Sequence, residues 1–314
     1  MTARNDLVSA IIPAFNAAAT IDETLHSARG QTYPHIEIIV VDDCSADATA
    51  AIVERHRSED PRVHLERQAA NRGPSAARNR AIALSRGAYI APLDADDLWR
   101  ADKLARQLEA FADPAVALVY SWYAIIDADS RIRFLDSRSE AEGDVVAALC
   151  ERNFVGNGSA PLMTRAAVIE AGGYDERLRG CEDYKLFFRI AERHRFALVR
   201  EFLVGYRDRP DSLSSDFDVM LDAHARCEAE FGSGHPQRVA ALRRNRTRLM
   251  RFMASRSYRG GEWATAARLL RRMGREDPLG TLANAVQIAR KRWGRVHGNA
   301  SARADLLGTR FPKA

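Results

Sequence analysis

Glu37-Ile38-Ile39-Val40-Val41-Asp42-Asp43-Cys44-Ser45 joins a β-branched apolar run to an acidic doublet. Four such residues in a row with no alternation read as a strand buried on both faces, the signature of a parallel sheet covered by helices. Upstream, Val8-Ser9-Ala10-Ile11-Ile12-Pro13 is a second such run closed by proline. Between the two, Thr20-Ile21-Asp22-Glu23 has the spacing of a capping box, and Ile21, Leu25 and Ala28 recur at helical intervals up to Gly30. This is a βαβ unit. The alternation continues with a helix near Asp47 to His56, a strand near Val63 to Glu66, a helix from Ser75 to Ser85, the strand Tyr89 to Leu93 and a helix from Ala101 to Phe111. Right-handed crossovers place such helices on the faces of a parallel sheet. A strand over Ala117 to Ile126, a loop at Gly156-Asn157-Gly158-Ser159 expected to be flexible, a helix from Glu182 to His194 and a strand from Phe196 to Tyr206 follow. Beyond about Asp216 the chain reads as helical, with turns at Gly232 to Pro236, Gly260-Gly261 and Asp277-Pro278.

In open α/β sheets, ligands bind outside the carboxyl ends of the strands. Three polar clusters fall there: Pro13-Ala14-Phe15-Asn16, Asp42-Asp43-Cys44-Ser45 and Asp94-Ala95-Asp96-Asp97. Crowded carboxylates repel unless a cation lies between them, and hard oxygen donors suit Mg²⁺ or Mn²⁺ sharing a phosphate. The sequence has no Gly-x-Gly-x-x-Gly after the first strand and no Gly-x-x-x-x-Gly-Lys anywhere, which argues against a dinucleotide-binding domain and a P-loop.

Composition narrows the class further. The 314 residues are 46% hydrophobic and 28% charged, as in ordinary globular proteins, with no apolar run long enough to span a bilayer. No signal-peptide core follows Met1, so a cytoplasmic location is the default expectation. Cys44, Cys150, Cys181 and Cys227 form no metal-spaced pair, and the eight histidines suggest no metal site. The net charge of +5 conceals +15 after Pro236 and −10 before it. Leu242 to Met253 and Ala289 to Val296 mix arginine with apolar residues, which suits either a solvated helical cap or peripheral contact with an anionic membrane. No nucleic-acid-binding motif accompanies the charge.

Taken in order, Val8 to Asn16, Val40 to Asp47, Asn71-Arg72-Gly73-Pro74-Ser75-Ala76-Ala77-Arg78-Asn79, Leu93 to Asp97, and Gly172-Gly173-Tyr174-Asp175 with Glu182-Asp183 resemble the family 2 inverting glycosyltransferases of the GT-A fold. The resemblance covers about Leu7 to Ser214. It implies a Rossmann-like, mostly parallel α/β sheet flanked by helices over residues 1–215, with a basic helical C-terminal region over 216–314. It implies a nucleotide-sugar donor, a UDP- or dTDP-sugar, and a hydroxyl acceptor on a glycan, a lipid-linked sugar or a protein. By resemblance, Asp43 recognises the base, Asp42 supports its turn, and Pro13, Phe15 and Gly73 wall that pocket. Asn16, Arg78, Asp94 and Ala95 complete the donor-binding set. Asp96, with Asp94 beside it, binds the divalent cation. Asp97 is expected as a helix cap, and Asp183, paired with Glu182, as the general base that deprotonates the acceptor. Helix capping is the competing reading for Asp43 and Asp47, and a favourable helix dipole for Glu182 and Asp183. Two departures stand out: Cys44 where glycine is common and Arg209 where relatives often carry histidine. A nucleotidyltransferase and a non-catalytic nucleotide-binding scaffold are the alternatives.

Overall fold

The computed structural model describes residues 6–136, 139–208, 216–276, 278 and 306–312. Arg209, Asp277 and the basic stretch from Ala289 to Val296 lie outside them. The chain divides into two units, one of Met1–Val146, Phe154–Ser212 and Leu306–Ala314, the other of Ala147–Asn153 and Leu213–Asp305.

In the first unit the β-branched runs become β1 (Val8–Ala14) and β2 (Ile36–Asp42), every residue of which is buried except Pro13. They pair in parallel with Ala14 opposite Asp42, so their carboxyl ends are side by side. β2 pairs with β3 (Val63–Arg67), and β1 with β4 (Tyr89–Pro92), again in parallel. Crossover helices α1 (Ile21–Arg29), α2 (Thr49–Glu59) and α3 (Pro74–Leu84) link them. Pro74 opens α3, where its fixed φ suits the first turn, and Gly73 before it has φ 89°, which only glycine adopts without strain.

The second half of the sheet is mixed. β5 (Leu98–Trp99), α4 (Lys103–Glu109), β6 (Val116–Ile126), β7 (Ile132–Asp136), α5 (Val146–Glu151), β8 (Leu162–Thr164), α6 (Arg165–Glu170), α7 (Glu182–Ala191) and β9 (Arg195–Arg207) follow in chain order. The sheet runs β3-β2-β1-β4-β8-β6-β9-β5, with β7 off this path on β6. β8 is antiparallel to β4 and β6, whereas β6 and β9 are parallel. Parallel pairing therefore dominates the half that carries the three acidic and polar strand ends.

Two local expectations need correction. The Thr20 hydroxyl does not cap α1; it donates to the Ala95 carbonyl at 2.9 Å, tying the helix to the acidic turn. Gly156-Asn157-Gly158-Ser159 is also not free, because Ser159 is bonded into that turn and any side chain on Gly156 would strike the Tyr123 ring.

The second unit is helical, with α8 (Phe217–Gly232), α9 (Pro236–Arg259) and α10 (Trp263–Glu276). Its core joins Phe217, Leu221, Met250, Met253, Ala254, Leu269 and Met273. From Leu242 to Met253, Met250 and Met253 join that core and Leu242 is buried as well, while Phe252 remains exposed. Among the described residues no helix is long and apolar enough to cross a membrane.

Candidate active site

The turn after β2 is built around two buried carboxylates. Asp43 accepts from the Arg72 N–H at 2.8 Å and the Gly73 N–H at 2.7 Å, holding the loop that opens α3. Asp42 accepts from Ser45 N–H at 3.2 Å and so supports its own turn. Asn16 joins this turn to the end of β1: its N–H donates to Ser45 Oγ, and its side-chain oxygen accepts from Ala46 N–H, both at 2.9 Å. Pro13, Phe15, Asn16, Asp42, Asp43 and Gly73 are thereby gathered at one edge, with Phe15 half exposed there. Asp47 precedes Ala48, the N-cap of α2, and accepts from the Thr49 N–H at 2.9 Å at the head of that helix. Cys44 has φ 65°, the left-handed backbone that explains why glycine suits this position.

The acidic turn after β4 lies beside it. Its Ala95 carbonyl accepts from the hydroxyls of Thr20 and Thr24, while Asp94 N–H donates to Ser159 Oγ at 2.9 Å. Asp97 is not a helix cap. It is fully buried, accepts from Ser159 Oγ–H at 2.5 Å and Arg207 N–H at 2.9 Å, and α4 begins only at Lys103. Burial, reinforced by the charges of Asp96 and Asp94, pushes the Asp97 carboxyl well above the usual range.

Arg78 connects this turn to the last acidic motif. Its guanidinium donates to Asp94 Oδ1 at 2.6 Å and to Glu182 Oε1 at 2.9 Å, and it lies over the Tyr174 ring at 5.2 Å. Glu182 and Asp183 open α7 after Cys181, whose φ of 55° turns the chain sharply into the helix. Burial, then the adjacent Glu182 charge, pushes Asp183 up to about 7. A helix dipole acting alone would lower that value, so desolvation outweighs it. A carboxyl poised near neutrality is suited to accept a proton.

Several residues here carry no strong sequence signal. Asn79 fixes the Gly172 to Asp175 loop, donating to Tyr174 O at 2.8 Å and accepting Tyr174 N–H at 2.9 Å. Among the described residues, the Tyr174 hydroxyl, buried beside Arg78, has no hydrogen-bond partner. Ser159, in the turn before β8, and Arg207, at the end of β9, hold the acidic turn from far along the chain. Only Tyr174 and Asn79 were marked, by their places inside the quoted motifs.

Asp94 and Asp96 fit a divalent cation in kind. Both are half-buried hard-oxygen donors two residues apart in one turn. Asp22, His26 and His56 form another cluster, with ligand atoms within 4.8 Å of one another, that sequence spacing did not suggest. It is filled by its own bonds. Arg29 points at His56 Nδ1 from 2.7 Å, which places the imidazole proton on Nε2, facing Asp22 at 2.9 Å.

The profile of the family described as "Glycosyl transferase family 2" matches residues 9–188. Over 129 residues the chain is 40% identical to the putative teichuronic acid biosynthesis glycosyltransferase TuaG of Bacillus subtilis, covering 41% of this chain and 51% of that protein. Over 120 residues it is 40% identical to UDP-Glc:alpha-D-GlcNAc-diphosphoundecaprenol beta-1,3-glucosyltransferase WfaP of Escherichia coli, covering 38% and 47% respectively. The matches thus span about half the length of these curated relatives. Among solved structures, S. aureus TarS 1-349 in complex with UDP-GlcNAc aligns with TM-score 0.64 at 17% identity, over 86% of this chain and 81% of that one. Mannosyltransferase PcManGT from Pyrobaculum calidifontis, in complex with GDP-Man and Mn²⁺, aligns with TM-score 0.61 at 20% identity, over 93% and 81%. The fold is GT-A, as the motifs implied.

Proposed function

Because the chain belongs to glycosyl transferase family 2, we propose that it moves a sugar from a UDP- or dTDP-sugar to an acceptor hydroxyl with inversion. The observation that carries this is the bridge of Arg78 between Asp94 and Glu182, which joins the acidic turn to the helix bearing Asp183. In this reading Asp43 accepts an N–H of the base with lone pairs left over from its two backbone bonds, since each carboxylate oxygen can accept more than once. Pro13, Phe15, Asn16 and Gly73 bound the nucleoside, and Asp94 and Ala95 face its sugar.

Asp96 and Asp94 would hold Mg²⁺ or Mn²⁺. The bound ion would neutralise the charge that grows on the leaving diphosphate. The neighbour in complex with GDP-Man and Mn²⁺ supports a cation of this kind. Asp183, held near neutrality, takes the acceptor hydroxyl proton as that oxygen attacks the anomeric carbon from the face opposite the diphosphate. Such a base contributes about 10²–10⁴-fold in rate. Arg78 pairs with Glu182 and Asp94, which leaves proton transfer to Asp183, the other acid opening α7.

TuaG is named for teichuronic acid biosynthesis and WfaP for a diphosphoundecaprenol-linked acceptor, which supports polysaccharide biosynthesis. We therefore place this chain in that class of synthesis. The test is a screen of nucleotide-sugars for donor hydrolysis and for raised melting temperature, with Mn²⁺ and with chelator. UDP- or dTDP-sugars should respond only with metal. Equal turnover in chelator would remove the cation, and response to no nucleotide-sugar would remove the activity. A nucleotidyltransferase would instead release pyrophosphate from a nucleoside triphosphate.

A further inference from the structure

Residues 306–312 return to the first unit and lie along β7. Gly308 N–H donates to Ile132 O at 2.8 Å, Ile132 N–H to Thr309 O at 2.9 Å, and Phe311 N–H to Ser130 O at 2.8 Å, around an antiparallel bridge between Arg131 and Arg310. The Phe311 ring is 3% exposed in a cluster with Leu98, Ala124, Ile126 and Ile132. It also explains a glycine inside a strand. A Cβ on Gly205 of β9 would come within 3.1 Å of the Phe311 ring and 3.2 Å of Ile126, so a side chain there would have to push the ring or Ile126 aside by a few tenths of an ångström.

The contacts lead on from this plug to the acidic turn. Leu98, beneath the ring, directly follows Asp97. Ser130, whose carbonyl receives Phe311, is buried at φ 62° and donates its hydroxyl to Glu23 at 2.7 Å. Arg207, 2% exposed, donates to Ser130 Oγ at 3.1 Å and to Glu23 at 2.8 Å. The same guanidinium donates through Nη1 to Asp127 O and Ala128 O, and through Nε to the Asp96 carbonyl at 2.8 Å. Its backbone N–H holds Asp97 Oδ1. One buried cation thus ties the turn that receives Phe311 to the backbone of the proposed cation-binding aspartate.

We propose that residues 306–312 are a positioning element of the donor site, fixing Ser130 and Leu98 and through them Arg207 and the Asp96–Asp97 backbone, so that nucleoside diphosphate binding depends on Phe311. This rests on the glycosyltransferase reading given above for what the turn binds, but not for how the turn is held. A mere structural plug would stabilise the unit without tuning the turn. A misplacement of about 1 Å at a reacting group costs on the order of a hundredfold, so a slackened turn has a readable cost.

The test compares the full chain with Phe311→Ala, Phe311→Leu and Gly205→Ala, well below their melting temperatures. Hydrogen exchange over residues 94–99 and calorimetric binding of UDP with Mn²⁺ are measured on each, with donor KM and kcat. Phe311→Ala and Gly205→Ala should speed exchange over 94–99. They should weaken UDP binding and raise donor KM roughly tenfold, with less effect on kcat, and Phe311→Leu should recover most of the loss. A lowered melting temperature with unchanged exchange at 94–99 and unchanged UDP affinity would overturn the proposal. Should Phe311→Ala fail to fold, the milder Phe311→Leu faces the same two outcomes at smaller amplitude. If the unaltered chain binds no UDP, the assigned activity falls, while the exchange measurement still decides the coupling.

Discussion

Asp183→Asn should make the protein more stable and inactive at once. An aspartate in an unfolded chain ionises near 4, whereas burial and Glu182 hold Asp183 protonated up to about 7. As pH rises through that window the unfolded state loses its proton first. Stability contributed by the protonated carboxyl is therefore full below about pH 4, falls between about 4 and 7, and is gone above. At about 1.4 kcal/mol per pH unit the ceiling is roughly 4 kcal/mol. Asp183 keeps partial contact with solvent, so about half of that, near 2 kcal/mol, is expected. Asparagine has the shape without the proton, and the variant should melt about 4–8 °C higher than the unaltered chain at about pH 8. The gap should shrink by more than half at about pH 5. Thermal or urea denaturation of both proteins at the two pH values measures it. A gap independent of pH, or a variant less stable at the higher pH, would refute the idea that Asp183 is the strained carboxyl.

Arg78→Met leaves two carboxylates of low exposure facing each other without their shared cation. Breaking a buried pair costs about 3–5 kcal/mol, so melting should fall by about 6 °C or more, with turnover lost. A melting point within about 2 °C of the unaltered protein would show that the bridge carries little. Asp43→Ala removes two backbone bonds from a charged acceptor, each worth about 1.5–3 kcal/mol, and should lower stability and UDP affinity together, with Asp43→Asn intermediate. Unchanged UDP binding by calorimetry would leave Asp43 a loop anchor alone.

The parallel half of the fold was legible because its strands are buried on both faces: Ile36 to Asp42 contains no exposed residue to confuse the periodicity. Its strand-end acids were legible for the same reason, since topology alone sends Asp42, Asp43 and Asp94 to Asp97 to one edge. What escaped were groups acting across long separations. β5 is only Leu98–Trp99 and takes its shape from β9, not from its own pattern. Asp97 looks like a cap by position, but its burial under Ser159 and Arg207 is set by residues far along the chain. Thr20 fits the capping pattern, yet the Ala95 carbonyl offers its hydroxyl a better partner. Asp22, His26 and His56 meet because α1 and α2 pack side by side, which no spacing records. Phe311 is one aromatic residue in a stretch without periodicity, and only its pocket reveals it.

In the proposed mechanism Asp183 takes the acceptor proton in a site that binds the nucleotide-sugar independently of it. Donor turnover and UDP affinity should be measured with Mn²⁺ for the unaltered chain and for Asp183→Asn, using a nucleotide-sugar that the screen identifies. Turnover should fall at least about a hundredfold, with UDP affinity within about twofold of the unaltered value. Undiminished turnover in Asp183→Asn would contradict it.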